Sequence, residues 1–163
     1  MRADKKRTMQ ETEPIQIDFY HLKSADIASP LAMLSHKAVS SGQKMLILAR
    51  AEQYDAISTA LWVNRPESFL AHDIDEGEGA DHAPVWVSTR PDENPINAPF
   101  IALTCGMVPT DLTRYRRIFN LFDGGDAQAL QIARQCWKDW SAEAGFQCRY
   151  FAQDEEGQWS LRK

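Results

Sequence analysis

The sequence predicts an α/β protein, a three-layer α/β/α sandwich built on a mixed, mainly parallel sheet. Strand-length apolar runs alternate with amphipathic helical patterns through the N-terminal half, which is typical of βαβ units. Residues 45–49 are apolar throughout, as in a central strand that is covered on both faces, and residues 100–104, apolar up to Thr104, predict another buried strand. Residues near the C-terminus alternate around a charged turn, which favours a closing antiparallel hairpin.

The first strand is predicted at residues 15–20, where apolar and polar residues alternate as in a strand with one apolar face. A helix should follow it. Ser29 can cap this helix, Pro30 suits its first turn, and Gly42 stands where it should stop. Together these features begin the first βαβ unit.

After the buried strand, residues 52–63 predict a second helix with Ile57 and Leu61 facing inward. Pro66 ends it, because the residue before a proline resists the helical conformation. The next segment is divided into a short extended piece and an acidic, glycine-containing loop, at residues 69–72 and 73–81.

The middle of the chain predicts strands at 85–88 and 100–104, joined by a proline-rich connection. Residues 114–122 alternate as a strand, although a helix also fits residues 112–119. The longest helix is predicted from Asp126, its cap, to about residue 144, before Gly145. The closing hairpin pairs residues 147–151 with 158–161.

The domain organisation expected is a disordered N-terminal extension, residues 1–14, and a single α/β domain, residues 15–163. The extension is charged and has no apolar stretch of the kind found in signal peptides. No apolar run approaches membrane-spanning length, so a cytoplasmic protein is expected. The formal net charge of -5, from 18 basic and 23 acidic residues, disfavours a protein that grips duplex DNA by its phosphates.

The three cysteines, Cys105, Cys136 and Cys148, predict reduced thiols in or near the core. Their number is odd and no pair has C-x-x-C spacing. His72 and His82 flank the acidic loop, but no cysteine or carboxylate spacing completes a zinc site there. No metal and no cofactor are therefore expected.

A Rossmann-like layout of this kind raises the hypothesis of nucleotide binding. The turn after the first strand contains no glycine, and no phosphate-binding loop of the G-x-x-x-x-G-K-[ST] type occurs in the chain. Gly124 and Gly125 precede the long helix, which is a common way to begin a helix. No catalytic residue is identified, and a small nucleotide- or metabolite-binding enzyme is retained as the alternative to a binding protein.

The long helix carries the strongest functional pattern. Ala129, Ile132, Ala133, Cys136 and Trp140 recur at helical spacing and should face the sheet. Arg134, Trp137 and Lys138 share a neighbouring stripe, with Leu130 one turn earlier. Two cations beside an aromatic ring and an apolar floor suit a peptide that is both acidic and aromatic, although such stripes are more often only solvated. A second pattern places Trp62 and Phe69 on either side of Pro66, where they form either a partner anchor or a cap on the core.

These residues resemble the chi subunit family of bacterial DNA polymerase III. The matching motifs, in order, are Asp18-Phe19-Tyr20, Gly42-x-Lys44, Leu61-Trp62-x-x-x-Pro66-x-Ser68-Phe69-x-x-His72, Ala133-Arg134-x-x-Trp137-Lys138-x-Trp140 and Ala144-Gly145-Phe146. The tryptophan-proline-serine-phenylalanine-histidine segment is the most specific of them, and the resemblance covers the chain from residue 15 onward.

The resemblance implies a non-catalytic adaptor of the clamp-loader assembly. Such proteins bind the acidic C-terminal tail of single-stranded DNA-binding protein and the psi subunit. By motif match, Arg134, Trp137 and Lys138, with Leu130 beside them, would bind the tail. Trp62, Pro66 and Phe69 would belong to the psi side. The family often has more basic residues along the long helix, where this chain has Leu130, Gln135 and Asp139. Direct binding of single-stranded DNA by the same cations and tryptophans is a weaker alternative.

Overall fold

The sheet dominates the architecture of the protein. The computed structural model describes residues 13–63, 72–74 and 83–162. In this part of the chain, eight strands form one sheet in the order β3-β4-β2-β5-β6-β1-β7-β8. They are Ile15–Leu22 (β1), Met45–Leu48 (β2), His72–Ile74 (β3), Val85–Ser88 (β4), Phe100–Leu103 (β5), Arg117–Asp123 (β6), Phe146–Gln153 (β7) and Trp159–Arg162 (β8). All neighbouring strands run parallel except β7 and β8, so the predicted mixed, mainly parallel sheet is confirmed.

Helices cover both faces of the sheet, as the three-layer prediction requires. The helices of the described residues are Ala28–Ser40 (α1), Tyr54–Val63 (α2) and Ala127–Ser141 (α3). Apolar residues of α1 and α2 join one buried cluster, and those of α3 join another. The two clusters lie on opposite faces of the sheet. Successive residues of β2 therefore belong to different clusters, Ile47 to the first and Leu46 to the second. The strand is wholly buried on both faces, which explains its continuous apolar sequence.

The start of α1 differs from the prediction. Ser29 lies inside the helix, and Ile27 occupies the cap position without a side-chain cap hydrogen bond. Asp26 takes the capping role instead, because its Oδ1 accepts a hydrogen bond from the Ser29 backbone amide at 3.2 Å. Gly42 follows the helix with a φ of 83°, which a glycine adopts without steric cost, so the predicted stop is confirmed.

Three other predicted boundaries differ from those in the structure. The helix predicted from residue 52 begins with a 3-10 turn, Ala51–Gln53, before α2. The predicted loop at 73–81 is wrong at residues 73 and 74, which pair with β4. Residues 69–71 of the extended piece lie outside the described residues. The α3 helix ends at Ser141 rather than near residue 144.

The predicted strand at residues 114–122 and the alternative helix at residues 112–119 are each found in part. Leu112–Arg114 forms a single 3-10 turn, and the strand β6 begins at Arg117. The strand prevails because it fills the place between β5 and β1, parallel to both. The predicted C-terminal hairpin is confirmed, with Phe151 opposite Leu161.

The polar side of β1 holds a buried carboxylate. Asp18 is 0% exposed, and its two oxygens accept hydrogen bonds from Arg149 Nε and Nη2 at 2.8 and 2.9 Å. Arg117 Nη2 donates a further bond to Oδ2 at 2.9 Å, and Gln16 Nε2 one to Oδ1 at 3.2 Å. Burial by itself raises the pKa of Asp18, but the hydrogen bonds from Arg149 and Arg117 hold it below its usual value. This group therefore joins β1, β6 and β7.

We expect Arg149→Ala to lower the free energy of unfolding by about 1–3 kcal/mol, because it leaves a buried carboxylate short of its main donor. The loss is moderated because Arg117 remains and the arginine side chain is 38% exposed to solvent. Urea denaturation followed by circular dichroism measures the effect. Arg90→Ala, which breaks the exposed pair of Arg90 with Glu93, is the control and should cost well under about 1 kcal/mol. Equal costs for the two variants would contradict the structural role of the cluster.

Candidate functional site

An aromatic cluster fixes α3 on the sheet. The ring of Phe19 on β1 lies 5.2 Å from Trp137, centroid to centroid, and 5.7 Å from Trp140. It also stacks on Tyr150 of β7 at 6.2 Å, and Trp137 meets Tyr150 nearly at right angles at 5.6 Å. Edge-to-face and stacked contacts of this kind add to the burial of apolar area, so α3 has a defined rotation about its axis.

That rotation corrects one prediction about the buried side of α3. Ala133 and Trp140 are buried as expected, but Ile132 is 38% exposed. Trp137, which was placed on the neighbouring stripe, is half-buried against the core together with Leu130. The larger indole gains more from the contact with Phe19 and Tyr150 than the smaller Ile132 side chain would.

The two predicted cations of α3 lie in solvent. Arg134 and Lys138 are exposed, and within the described part of the chain neither is within ion-pair distance of a carboxylate. On the adjacent stripe, Gln135 and Asp139 hydrogen-bond to each other at 2.9 Å. The four predicted residues Leu130, Arg134, Trp137 and Lys138 thus form one continuous surface of half-buried apolar groups and exposed cations, here named the α3 surface.

A histidine–tyrosine pair borders the α3 surface and was not predicted. His21 Nδ1 lies 2.7 Å from the hydroxyl of Tyr150, although the two residues are 129 positions apart in sequence. The imidazole packs so closely on Gly124 that a Cβ there would overlap its Nε2. Gly124 is therefore required for the position of His21 rather than for binding a phosphate.

Two more cations, Lys23 and Arg162, lie near this pair and were also not predicted. The pKa of His21 is lowered first by burial and then by the charges of Lys23, Arg134 and Arg162, while Asp123 opposes the effect. Arg162 lies directly opposite Tyr150 in the β7–β8 pair. The alternation of residues 147–151 predicts a strand that contains Tyr150. Only the register of β7 against β1 and β8, which that alternation does not give, brings Tyr150 close to His21 and Arg162.

The second predicted surface is described only in part. Trp62, at the end of α2, is 48% exposed, whereas its neighbour Leu61 is 1% exposed, as the helical spacing predicted. Pro66 and Phe69 lie outside the described residues. The large exposed area of Trp62 is the feature that suits a partner contact.

A cleft of about 280 Å³ lies at the carboxyl edge of the sheet, where the nucleotide hypothesis places a ligand. Arg50, Asn120 and Cys105 are among its lining residues. The backbone amides that would hold a phosphate are already used by carboxylates. Asp126 Oδ1 accepts hydrogen bonds from Gln128 N and Ala129 N, and Asp123 Oδ1 accepts one from Gly125 N. This arrangement disfavours an anionic nucleotide at the start of α3.

The cysteines are free and half-buried, as predicted, and burial raises the pKa of the Cys148 thiol to about 11. Among the described residues, no three histidine, cysteine, aspartate or glutamate side chains are grouped as metal ligands. No helix in the described ranges is both long and apolar enough to cross a membrane.

Comparison with known families gives a match over most of the chain. The family model described as "DNA polymerase III chi subunit, HolC" matches residues 15–149 of the 163-residue chain. The match contains β1 through the first half of β7, with all of α3. A comparison with curated proteins finds no match.

We expect the stability of the protein to fall as the pH is lowered through 6.5, the ordinary pKa of histidine, towards the lower pKa of folded His21. The unfolded chain binds this proton more readily than the folded chain, so stability from this group is present above pH 6.5 and lost below the folded pKa. Denaturation curves between pH 5 and 8 measure the effect. His21→Asn should flatten the pH dependence relative to the parent protein; identical slopes would contradict it.

Proposed function

The chain belongs to the DNA polymerase III chi subunit family, and we propose that it is an adaptor that binds the acidic C-terminal tail of single-stranded DNA-binding protein. Family membership makes it an accessory subunit of DNA polymerase III. We propose further that the α3 surface receives the tail. The observation that carries this proposal is the exposure of Arg134 and Lys138, without an ion pair in the described residues, beside Trp137.

The chemistry of the α3 surface matches an acidic tail with a free terminal carboxylate. An arginine can hold a carboxylate with two parallel hydrogen bonds, and a lysine adds a second positive charge one turn away. Leu130 and the half-buried indole of Trp137 offer apolar area to an aromatic side chain of the tail. Since both charges are exposed, their attraction for the tail is screened by salt.

The second contact of the adaptor uses the other face of the sheet. Trp62 lies on α2, on the opposite face of the sheet from α3, and offers a large apolar side chain to a partner. With Pro66 and Phe69 it would form the surface for psi or an equivalent clamp-loader or helicase partner, as the family resemblance implies. Two contacts on opposite faces allow both partners to be bound at once.

The function that follows is tethering in the cytoplasm at the replication fork. Linking two binding events raises the effective concentration of one partner near the other, so the clamp loader stays close to protein-coated single strands. In this account the chain, a single α/β domain from residue 15, contributes binding energy and geometry and no catalytic group. A pull-down with intact single-stranded DNA-binding protein, against the same protein lacking its last residues, tests the proposal directly.

We expect Arg134→Ala and Lys138→Ala each to weaken binding of a tail peptide about tenfold, because each removes a charge-assisted hydrogen bond worth about 1.5–3 kcal/mol before solvent screening. Titration of a labelled peptide measures the affinity. The effect of each variant should shrink between about 50 mM and 500 mM salt.

Lys37→Ala provides a matched control for these variants. Lys37 is also exposed, and it lies on α1, which packs on the opposite face of the sheet from α3. Its replacement should leave peptide binding unchanged. Wild-type affinity of the Arg134→Ala variant, with its fold intact, would refute the assignment of the tail site.

We expect Trp62→Ala to weaken the contact with psi or the helicase partner by about thirtyfold, the effect of losing an interface anchor worth about 2 kcal/mol. Phe69→Ala should act in the same direction. A pull-down with the partner measures the loss, and Met33→Ala is the control, because Met33 is 49% exposed and lies on α1. Wild-type recovery of the partner by both aromatic variants would contradict the assignment.

A further inference from the structure

The α3 surface continues onto the C-terminal hairpin. In the β7–β8 pair Tyr150 and Arg162 are opposite each other, so their side chains project from the same face of the sheet. That face is the one covered by α3, because the ring of Tyr150 contacts Trp137 at 5.6 Å. Arg162 therefore stands beside Tyr150, on the edge strand next to α3.

A third element brings another cation to the same place. The backbone amide of Lys23, just after β1, donates a hydrogen bond to Gln153 Oε1 at 3.2 Å, which ties this loop to the end of β7. The charges of Lys23, Arg134 and Arg162 all act on His21, whose ring is held by Tyr150. Cations from a loop, a helix and an edge strand thus surround one histidine–tyrosine pair.

Among the charged groups that act on His21, the cations outnumber the carboxylates by three to one. The carboxylate that acts on His21 is Asp123, and its Oδ1 already accepts a hydrogen bond from the Gly125 amide. Lys23 and Arg162 are exposed, and neither is in an ion pair within the described residues. Such an excess, in a chain with a net charge of -5, is a distinct feature of this surface.

We propose that the cations Lys23 and Arg162 extend the α3 surface and bind further acidic residues of the same peptide, upstream of its terminal residue. Together with the adjoining His21–Tyr150 pair, they are here named the hairpin patch. This inference rests on the proposed function. An extended peptide rises about 3.3 Å per residue, so its successive upstream residues can extend from α3 across the adjacent strands, which lie about 4.8 Å apart. The family match ends at residue 149, before Tyr150 and Arg162.

The rings of the patch argue for a peptide rather than a nucleic acid. Tyr150 stacks on Phe19 and is met edge-on by Trp137, His21 and Phe122. A base would need an open ring face on which to stack, and these contacts already occupy the ring. Carboxylates need only the exposed charges of Lys23 and Arg162.

The test compares two synthetic peptides that end in the same aromatic residue with a free carboxylate. One has several aspartates upstream, and in the other these are replaced by asparagine. Arg162→Ala and Lys23→Ala should each weaken binding of the acidic peptide about three- to tenfold and leave binding of the neutral peptide unchanged. Arg134→Ala should weaken both, and Arg162→Glu should weaken the acidic peptide more than Arg162→Ala does.

Ser160→Ala, on the same exposed strand, is the control and should bind both peptides like the parent protein. Wild-type affinity of the Arg162→Ala and Lys23→Ala variants for the acidic peptide would overturn the hairpin patch while leaving the proposed function standing. An equal loss with both peptides would also overturn it, since a general structural effect does not depend on upstream charge. Failure of the parent protein to bind either peptide would overturn the proposed function as well. Binding of an oligothymidylate that is lost in Arg162→Ala would assign the patch to single-stranded DNA instead.

Discussion

The packing of Phe19 against Trp137, Trp140 and Tyr150 determines which side of α3 is buried and which is exposed to solvent. Residues of a helix are separated by about 100° around its axis, so a rotation by one residue would exchange the buried and exposed stripes of α3. The aromatic packing excludes that exchange, because it would leave the indole of Trp137 in water and bury Ile132 in its place. Since Arg134 and Lys138 lie on the same helix as Trp137, their exposure is a consequence of packing in the core.

Because successive side chains of β1 point to opposite faces of the sheet, this strand contributes residues to both faces. Phe19 points to α3, while its neighbour Asp18 points to the other face and holds Arg117 and Arg149. These arginines also lie over aromatic rings, at 4.8 Å from Phe119 and 5.1 Å from Phe151. The carboxylate cluster fixes β6 and β7 beside β1, and this pairing in turn sets Tyr150 next to His21. A charged cluster on one face thereby positions an aromatic site on the other.

Local pattern predicted most of the fold and part of the geometry of the candidate site. The buried strands, the Asp126 cap and the terminal hairpin follow from period, capping chemistry and turn composition, which act within a few residues. The stripe with Arg134 and Lys138 followed from helical spacing in the same way. The exposure of Ile132 did not, because Ile132 and Trp137 lie at opposite edges of the buried face and only the partner rings decide which edge turns towards the sheet. His21 and Arg162 were missed for a related reason, since a parallel register and a hairpin register bring them to α3 from distant parts of the chain.

The acidic balance of the chain and its cationic surface are compatible because electrostatic attraction is local at cellular salt. Charges separated by more than about 8 Å are largely screened at physiological ionic strength. A peptide on α3 would therefore sense Arg134, Lys138 and the nearby Lys23 and Arg162 far more than the net charge of -5. A long nucleic acid follows a different rule, because its phosphates extend past the cations and over the acidic remainder of the surface. Under the proposed function, the same distribution of charge would favour a short acidic chain end over a continuous polyanion.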